Sequence, residues 1–535
     1  MHMRWPTVLI PLLGISLLAP CPAIRAQSDR GPETHRAPVS EPATEEEVAQ
    51  LRQEVAELKL AVERLAQASS RTMPEEPRLE LARAALDPAS PDAALTETAV
   101  HTIIDAPSER TPVRPQQGGG APPIVAGWNG EHFFLRSSDG SFTAMPIGYF
   151  NAQYNLYKGD GAPPDTFTIQ RARFGLQGSY GKQLDYQFLF ESASPLTIRD
   201  AYLDFKPWTA FSIMGGQYRV PFSQEALWLE TEYEFNSLSP SAVLYPNATG
   251  AFRAPGIDIH GSLAGGRAQY WAGVFNGQGL LQNGTTNEPE AIGKVRFLPW
   301  KQSEHKWLTG FALGGSVEHS RSKALANELS FNGAMTDNTY NFFPQFRING
   351  GIQRYNGFFA WLSGPWTVRG EYTQVLEKRT GIGSFVNGGV GFNTLPGVVG
   401  KGASGIVTYF LTGESTTDNA MPRIRHSLIG PNSPGETGGP GWGAWQLKFR
   451  YSWVEGRAAG ATCDVSTIPA CPLTPGVVPT YSDHTDQITV GLNWYLNYWV
   501  LVRSDLNINQ LANPSVQGIL PRNYFVFLEG IQFRF

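Results

Sequence analysis

The chain has 535 residues and a net charge of −5, and charged residues make up 17% of it, fewer than the roughly 25% typical of soluble domains. It contains 57 glycines, and Trp, Tyr and Phe together reach 12%, which favours a β-structure with many turns. No uninterrupted run of about 20 apolar residues follows the N-terminal leader, so we do not expect a helical membrane protein.

The first 26 residues have the pattern of a secretory signal peptide. Arg4 supplies a positive charge, residues 7–19 form an apolar stretch, and the small residues Ala23 and Ala26 follow it. We expect cleavage after one of these two alanines. A lipoprotein cleavage site at "LAPC" is the alternative, although Pro20 stands where a small residue is expected. Either way the chain is predicted to be exported.

A short coiled coil is predicted over residues 45–68, preceded by a polar segment, residues 27–44, that is predicted to be disordered. Six apolar residues in the coiled coil repeat with alternating spacings of three and four, with Val at heptad position a and Leu at d. They are Val48, Leu51, Val55, Leu58, Val62 and Leu65. A seam this narrow favours self-association. Residues 69–140 are rich in Pro, Ala and Gly and are predicted to be a linker.

From residue 141 the chain alternates between apolar and polar residues. In "WQLKFRYSW", Leu447 and Phe449 alternate with Lys448 and Arg450. Strands of this kind have one apolar and one polar face. A β-sandwich would also alternate, but aromatic residues near strand ends and connections that are alternately short and long favour a transmembrane barrel. Residues 141–535 are therefore predicted to form an all-β, antiparallel barrel of about 16 strands.

Two further features of the barrel region concern one of its connections and its last strand. One connection, residues 415–441, is long although it falls on the side of the short turns. The final strand, "YFVFLEGIQFRF", has an apolar face that would be hazardous at an open sheet edge. We expect it to close the barrel by pairing with the first strand, near "MPIGYFNAQYNLY". The terminal Phe535 also resembles the signal that the barrel assembly machinery reads.

Several stretches of the barrel region resemble the phosphate-selective porin O and P family. In order, they are "RARFGLQGSYGKQLDYQFLFESASPLTIRDAYLDFKPW", "GGQYRVPFSQE", "TYFLTGE", "GAWQLKFRYSWVEG" and "QITVGLNWYLNYWVLVRSDLNI". The resemblance covers residues 143–535. It implies a homotrimeric, sixteen-stranded barrel in the Gram-negative outer membrane, with the coiled coil in the periplasm. It also implies a water-filled channel for passive uptake of small anions such as phosphate.

The resemblance places anion-binding bases on the lumen face of the barrel. The arginine motif of the family falls on Arg171 and Arg173, and strand periodicity adds further bases. These are Lys294, Arg296, Arg369, Lys448, Arg450 and Arg503. Arginine stays charged and can bind phosphate through two parallel hydrogen bonds. The alternative is a generic polar wall, in which such bases pair with acids such as Glu371 and Asp505.

The third long loop, near residues 221–252, is expected to fold into the pore and narrow it. Residues 221–247 of this loop contain no Lys or Arg. The loop contains four glutamates, namely Glu225, Glu230, Glu232 and Glu234. An acidic constriction is not what a phosphate filter needs, so a weakly selective general porin stays open as an alternative. In that alternative the periplasmic coiled coil tethers the outer membrane to the cell wall, with peptidoglycan as a partner.

Other chemistry is not predicted. No HExxH, GxSxG or P-loop motif occurs in the sequence, so we expect neither an enzyme nor a cofactor or metal site. The expected partners are outer-membrane lipid, further copies of the chain, small anions and the assembly machinery, with no nucleic acid. Cys463 and Cys471 lie eight positions apart in a Pro-rich loop. In an exported chain they predict a local disulfide, with two free thiols as the alternative.

Overall fold

The computed structural model describes residues 124–159, 162–193, 195–284, 286–322, 329–380, 394–415, 418, 420–459, 480–512 and 523–535. The predicted signal peptide, disordered segment and coiled coil lie outside the described residues. So do most of the predicted linker and both Cys463 and Cys471. Within the described part of the chain, no helix is long and apolar enough to cross a membrane.

A closed antiparallel barrel of sixteen strands dominates the structure. Its strands are β3 (Phe142–Lys158), β4 (Thr166–Tyr180), β5 (Leu184–Glu191), β6 (Thr197–Trp208), β7 (Phe211–Arg219), β8 (Arg253–Leu263), β9 (Ala268–Phe275), β10 (Glu290–Phe297), β11 (Phe311–Ser322), β14 (Gly350–Ser363), β15 (Trp366–Thr380), β16 (Thr394–Phe410), β17 (Ala444–Ala459), β18 (Thr480–Tyr495), β19 (Val500–Leu511) and β20 (Asn523–Arg534). Each pairs with the next strand along the chain.

The remaining elements are small. Two hairpins are formed by β1 (Ile124–Trp128) with β2 (Phe133–Ser137) and by β12 (Gly333–Ala334) with β13 (Asn341–Phe343). One helical turn, α1 (Lys306–Thr309), precedes β11, and 3₁₀ turns occupy Pro240–Leu244, Ala248–Gly250 and Ala264–Gly266.

The barrel closes between its first and last strands, as the sequence predicts. β20 pairs with β3 from Phe525↔Lys158 to Arg534↔Tyr149 without a break in register. Phe525 and Phe533 stand on the outer face, while Tyr524 and Arg534 are buried inside. The apolar C-terminal strand therefore has no open edge, which is the condition for a barrel to sit in lipid.

The barrel has two unlike rims. The terminal rim, where β3 begins and β20 ends, carries short turns such as 181–183 and 364–365. The loop rim, at the other end, carries the long connections. The exceptional connection is real: residues 411–443 join β16 to β17 at the terminal rim. Its Met421 and Ile424 are buried against a cluster that includes Phe410, Tyr495, Tyr498 and Leu501. The connection therefore folds against this rim.

Strand alternation sorts the side chains between the two faces of the wall. On β17, Lys448 and Arg450 are at most 4% exposed, whereas Leu447 and Phe449 are 47% and 43% exposed. Polar side chains thus face inward and apolar ones outward, as in outer-membrane barrels. The near-complete burial of the inward residues shows that other parts of the chain fill much of the lumen.

An ordered hairpin occupies residues 124–137, within the range that the sequence assigns to the linker. β1 and β2 pair from Ile124↔Ser137 to Trp128↔Phe133, and β2 continues onto β3 through two further residue pairs. At the hairpin turn His132 is buried near Arg534. Burial, followed by the guanidinium of Arg534, lowers the pKa of His132 to about 3, so the ring is neutral at physiological pH.

Candidate functional site

The lumen holds the predicted bases on the inner face of five strands. Arg171 and Arg173 lie on β4, Lys294 and Arg296 on β10, Arg369 on β15, Lys448 and Arg450 on β17, and Arg503 on β19. Arg171 and Arg173 lie opposite Asn151 and Tyr149 of β3, which are themselves buried inside the barrel. Alternation alone therefore locates these eight residues on the lumen side of the wall.

Residues 220–252, called here the acidic loop, fold into the lumen between β7 and β8. Glu230 of this loop lies among three arginines of the wall. Its Oε1 is 3.1 Å from Arg173 Nη1 and 3.8 Å from Arg253 Nη1, and its Oε2 pairs with Arg219. Arg173 also pairs with Glu191 of β5 at 2.7 Å. The wall thus holds this part of the loop by charge.

The other three glutamates of the acidic loop are engaged as well. Glu225 organises the loop itself, because it accepts hydrogen bonds from the backbone N–H of Ser239 at 2.8 Å and the hydroxyl of Tyr245 at 3.1 Å. Glu234 forms an ion pair with Arg369. Glu232 Oε1 lies 3.8 Å from Arg534 Nη1.

Several predicted bases bind the backbone of the acidic loop. Lys448 donates to the carbonyl of Glu234 at 2.7 Å and also pairs with Asp505 at 2.7 Å. Arg503 donates to the carbonyls of Glu230 and Thr231 at 3.2 and 3.1 Å. These bases hold the loop in place, a role that the sequence does not assign to them.

Lys294, Arg450 and Arg296 show the same preference for internal partners. Lys294 Nζ donates to the carbonyl of Ser223 at 3.0 Å. Arg450 donates to the carbonyl of Ser237 at 2.6 Å and to Gln487 Oε1 at 2.8 Å. Arg296 instead forms an ion pair with Asp418, in the long connection at the terminal rim.

Two arginines of the lumen form no ion pair with the described residues. Among the described residues, neither Arg171 nor Arg199 has a carboxylate within ion-pair distance or a hydrogen-bond partner, and Arg199 Nε is buried. Together with the arginines around Glu230 they form what we call the arginine cluster. It comprises Arg171, Arg173, Arg199, Arg219 and Arg253, with the carboxylates of Glu191, Asp200 and Glu230. Five guanidinium groups therefore face three carboxylates.

A second segment enters the lumen from the loop rim. Residues 329–349, called here the aromatic loop, contain the β12–β13 hairpin and are packed by aromatic rings. Phe331 and Phe343 stack with centroids 5.1 Å apart, and Phe343 and Phe346 meet edge to face at 5.2 Å. The loop covers inward apolar residues of the wall, namely Val375, Val398, Val454, Ala458, Leu511 and Tyr524.

One carboxylate fixes the tip of the aromatic loop to the wall. Asp337 Oδ2 accepts three amide hydrogen bonds, from Gln487 at 3.0 Å, Asn507 at 3.1 Å and Asn509 at 2.8 Å. These three amides lie on the inner faces of β18 and β19. A buried carboxylate with several donors is well satisfied, so Asp337 acts as a latch between loop and wall.

The two loops meet at two glycines of β16. A Cβ atom on Gly402 would lie 2.7 Å from Ser241 Cβ of the acidic loop. A Cβ atom on Gly400 would lie 2.5 Å from Leu244 Cδ2 and 2.9 Å from Phe331 Cε1. Because these distances are too short for any side chain, the glycines let both loops approach the wall closely.

Comparison with known proteins identifies the family. The sequence profile of the phosphate-selective porin O and P family matches residues 145–509, more than half of the chain. The chain belongs to this family. Together with the closed sixteen-strand barrel, this makes it an outer-membrane porin, and points to a channel and not to an enzyme.

Solved structures with similar folds include other porins. OmpT of Vibrio cholerae is 12% identical with a TM-score of 0.44, over 74% of this chain and 98% of that one. An anion-selective porin from Comamonas acidovorans is 12% identical with a TM-score of 0.42, over 72% and 98%. The channel DcaP of Acinetobacter baumannii is 12% identical with a TM-score of 0.41, over 74% and 99%. No curated protein matches this porin.

Sequence reasoning missed three parts of this porin's lumen. Arg219 and Arg253 lie at the ends of the strands that flank the acidic loop and were not singled out. Arg199 lies at a bulge, where β5 and β6 shift register between Leu189↔Asp200 and Phe190↔Ile198, so strict alternation gives no signal for it. The aromatic loop did have a signal: the inner face of β17 turns apolar toward the loop rim, at Val454 and Ala458.

No group of three or more His, Cys, Asp or Glu residues in the described part of this porin could hold a metal ion.

Proposed function

We propose that this porin passes small anions such as phosphate. The observation that supports the proposal is the arginine cluster, in which Arg171 and Arg199 have no carboxylate partner among the described residues. The acidic loop would otherwise argue for cations. Its four glutamates, however, are directed to wall bases or to groups within the loop.

The physical basis of the proposed anion preference is the positive electrostatic field of a wall whose arginines are incompletely neutralised. In a narrow water-filled passage, fixed positive groups raise the local concentration of anions. Guanidinium groups are suited to phosphate because their donors match its oxygens in pairs. The selectivity is expected to be moderate, because three of the five arginines in the cluster already share carboxylates.

The test is ion selectivity in a planar bilayer. The reversal potential in a salt gradient should report anion preference for the natural chain and a smaller preference for Arg171→Ala and for Arg199→Ala. Arg136→Ala is the matched control, because it removes one exposed arginine from β2, outside the lumen. A cation-selective potential for the natural chain would refute the proposal. Conductance in phosphate against chloride then ranks the two anions.

We further propose a trimer whose terminal rim faces the periplasm, with the predicted coiled coil, residues 45–68, as an assembly clamp. The heptad seam supports self-association, and the family resemblance supports three copies. Deleting residues 41–70 should lower the stability of the trimer in native electrophoresis while leaving conductance measurable. If trimers persist and attachment of the outer membrane to the cell wall fails, the coiled coil is a tether to peptidoglycan.

The signal peptide and the disulfide are also proposals. Mass spectrometry of the mature chain distinguishes cleavage after Ala23 from cleavage after Ala26 and from a lipid-modified Cys21. A peptide that joins Cys463 to Cys471 under non-reducing conditions would support the disulfide. Alkylation of both residues without reduction would contradict it.

A further inference from the structure

A groove of about 740 Å³ lies on the outer surface of the wall, across β8 to β14. Ala272 of β9 and Ala291 and Gly293 of β10 lie at its centre, and Ile257 and Val317 stand on either side. The central side chains are small while their neighbours across the sheet are large, so the outer face is hollowed there. A surface that is otherwise covered by projecting aromatic and aliphatic side chains is locally concave and apolar.

A group of basic side chains lies at the loop-rim end of this groove. Arg321 of β11 is the register partner of Gly351 on β14. A Cβ atom on Gly351 would lie 3.7 Å from His319 Cε1 and 3.8 Å from Lys378 Cδ. The side chains of His319 and Lys378 therefore converge over a position that has no side chain of its own.

The side chains of this group are available to a ligand. Within the described residues, His319 and Lys378 make no side-chain hydrogen bond or ion pair. Arg321 pairs with Glu288 at 2.6 Å, and both side chains are about half exposed, at 51% and 53%. An exposed pair of this kind is weak, so the guanidinium can exchange or share this partner at little cost.

The spacing of groove and cations matches an amphipathic ligand. Val317 in the groove and Arg321 at its end are four residues apart on one strand, or about 13 Å. The outer face of a membrane barrel contacts acyl chains in its middle and polar headgroups at its rims. An apolar groove that ends in basic side chains at a rim therefore presents each part of a phospholipid with a suitable surface.

We propose that this groove binds one phosphate-bearing lipid from the leaflet at the loop rim. An acyl chain lies over Ala272, Ala291 and Gly293, and the phosphate is held by His319, Arg321 and Lys378. Charge complementarity favours a phosphate-bearing lipid as the occupant, because the exposed bases Arg321 and Lys378 stand beside the apolar groove. The proposal concerns the outer face and is independent of the solute that crosses the lumen.

The first test separates phosphate recognition from general lipid contact. Native mass spectrometry of the full chain in detergent is carried out with phosphatidylglycerol and with diacylglycerol that has the same acyl chains. We expect a retained phosphatidylglycerol adduct and an affinity about tenfold weaker in the double variant His319→Gln, Lys378→Gln. Lys182→Gln, on the turn at the terminal rim, is the matched control and should bind as the natural chain does. Equal retention of the two lipids would overturn the proposal.

The second test addresses the groove and the competing occupants. Gly293→Leu fills the groove, and its Cβ atom is tolerated because the nearest atom, Val317 Cγ2, is 3.8 Å away. Gly405→Leu is the control, since nothing lies within 4 Å of its Cβ position on the outer face of β16. We expect only Gly293→Leu to lower phosphatidylglycerol binding. A change of oligomer mass in this variant without a change of lipid binding would identify a second copy as the occupant. Displacement of bound phosphatidylglycerol by inorganic phosphate at equal concentration would show that the acyl groove is not used. Either result refutes the proposal.

Discussion

The two loops that enter the lumen are held by different balances of charge and apolar contact. The acidic loop is fixed by charge, with Glu230 among Arg173, Arg219 and Arg253. The aromatic loop is held chiefly by apolar burial, with Phe342 and Phe346 completely inaccessible, and Asp337 adds hydrogen bonds to the wall. Under our proposal the arginine cluster sets ion selectivity, and we expect the aromatic loop to set the width of the entrance.

The largest expected effect tests the aromatic loop. Phe342→Ala removes a fully buried ring and should lower the free energy of unfolding by about 3–5 kcal/mol. Since the loss loosens the loop that narrows the entrance, single-channel conductance should rise while the reversal potential stays the same. Phe525→Ala, which removes a ring from the outer face of β20, is the control. A shifted reversal potential in Phe342→Ala would show that the aromatic loop also selects ions.

The next effect tests the acidic loop. Glu230→Gln removes the charge that three arginines share, at a cost of about 3 kcal/mol for a broken buried ion pair. The midpoint of thermal unfolding should fall, and the reversal potential should move toward stronger anion preference, because the cluster gains net positive charge. Glu304→Gln, an exposed acid near α1, should change neither quantity. An unchanged reversal potential in Glu230→Gln would show that the arginine cluster does not act on the ions that cross the lumen.

A smaller effect is expected at the latch of the aromatic loop. Asp337→Asn keeps the shape but weakens the acceptor of three amide hydrogen bonds, with a loss of about 2 kcal/mol. Hydrogen exchange should speed up in residues 330–347 and stay unchanged in residues 221–250. Asp139→Asn, in the exposed turn between β2 and β3, serves as the control. Faster exchange in both loops would mean that they open together.

The smallest effect concerns the glycines beneath both loops. Gly402→Ala should displace only the acidic loop, and Gly400→Ala should displace both, since its Cβ would touch Leu244 and Phe331. Each substitution should lower the free energy of unfolding by about 1 kcal/mol, because the added methyl group overcrowds the contact. Gly405→Ala, next on the same strand but facing outward, should cost nothing measurable. Hydrogen exchange of the two loops in the three variants tests whether both loops depend on the same contact with β16.

Periodicity was sufficient to predict the wall and insufficient to predict what fills it. Alternation at residues such as Leu447 and Lys448 determines which face each side chain takes, so strand number, closure and the inward position of the eight predicted bases follow from local pattern. The partners of those bases do not follow from it. Lys448 and Arg503 bind carbonyls of a loop more than 200 residues away, and no local signal encodes such contacts.

Two misses have clear physical causes. β1 and β2 are only five residues long and follow a Gly- and Pro-rich stretch, so composition masked them. The aromatic loop is stabilised by wall residues on five different strands, so its inward position depends on the completed barrel. The apolar inner residues of β17 were visible in the sequence, but they acquire meaning only once the lumen is known to be filled there.

The hairpin of residues 124–137 lies where a mechanical load on the preceding chain would reach the barrel. Its β2 strand joins the wall through two residue pairs, Leu135↔Ala144 and Arg136↔Thr143, on the strand that closes the barrel with β20, and its turn accepts a hydrogen bond from Trp499 at the carbonyl of Glu131. A pull on the chain ahead of Ile124 would reach these two pairs before it reached the sixteen-strand ladder. We therefore expect the hairpin to separate from the wall before the closing seam does, because ten residue pairs join β3 to β20.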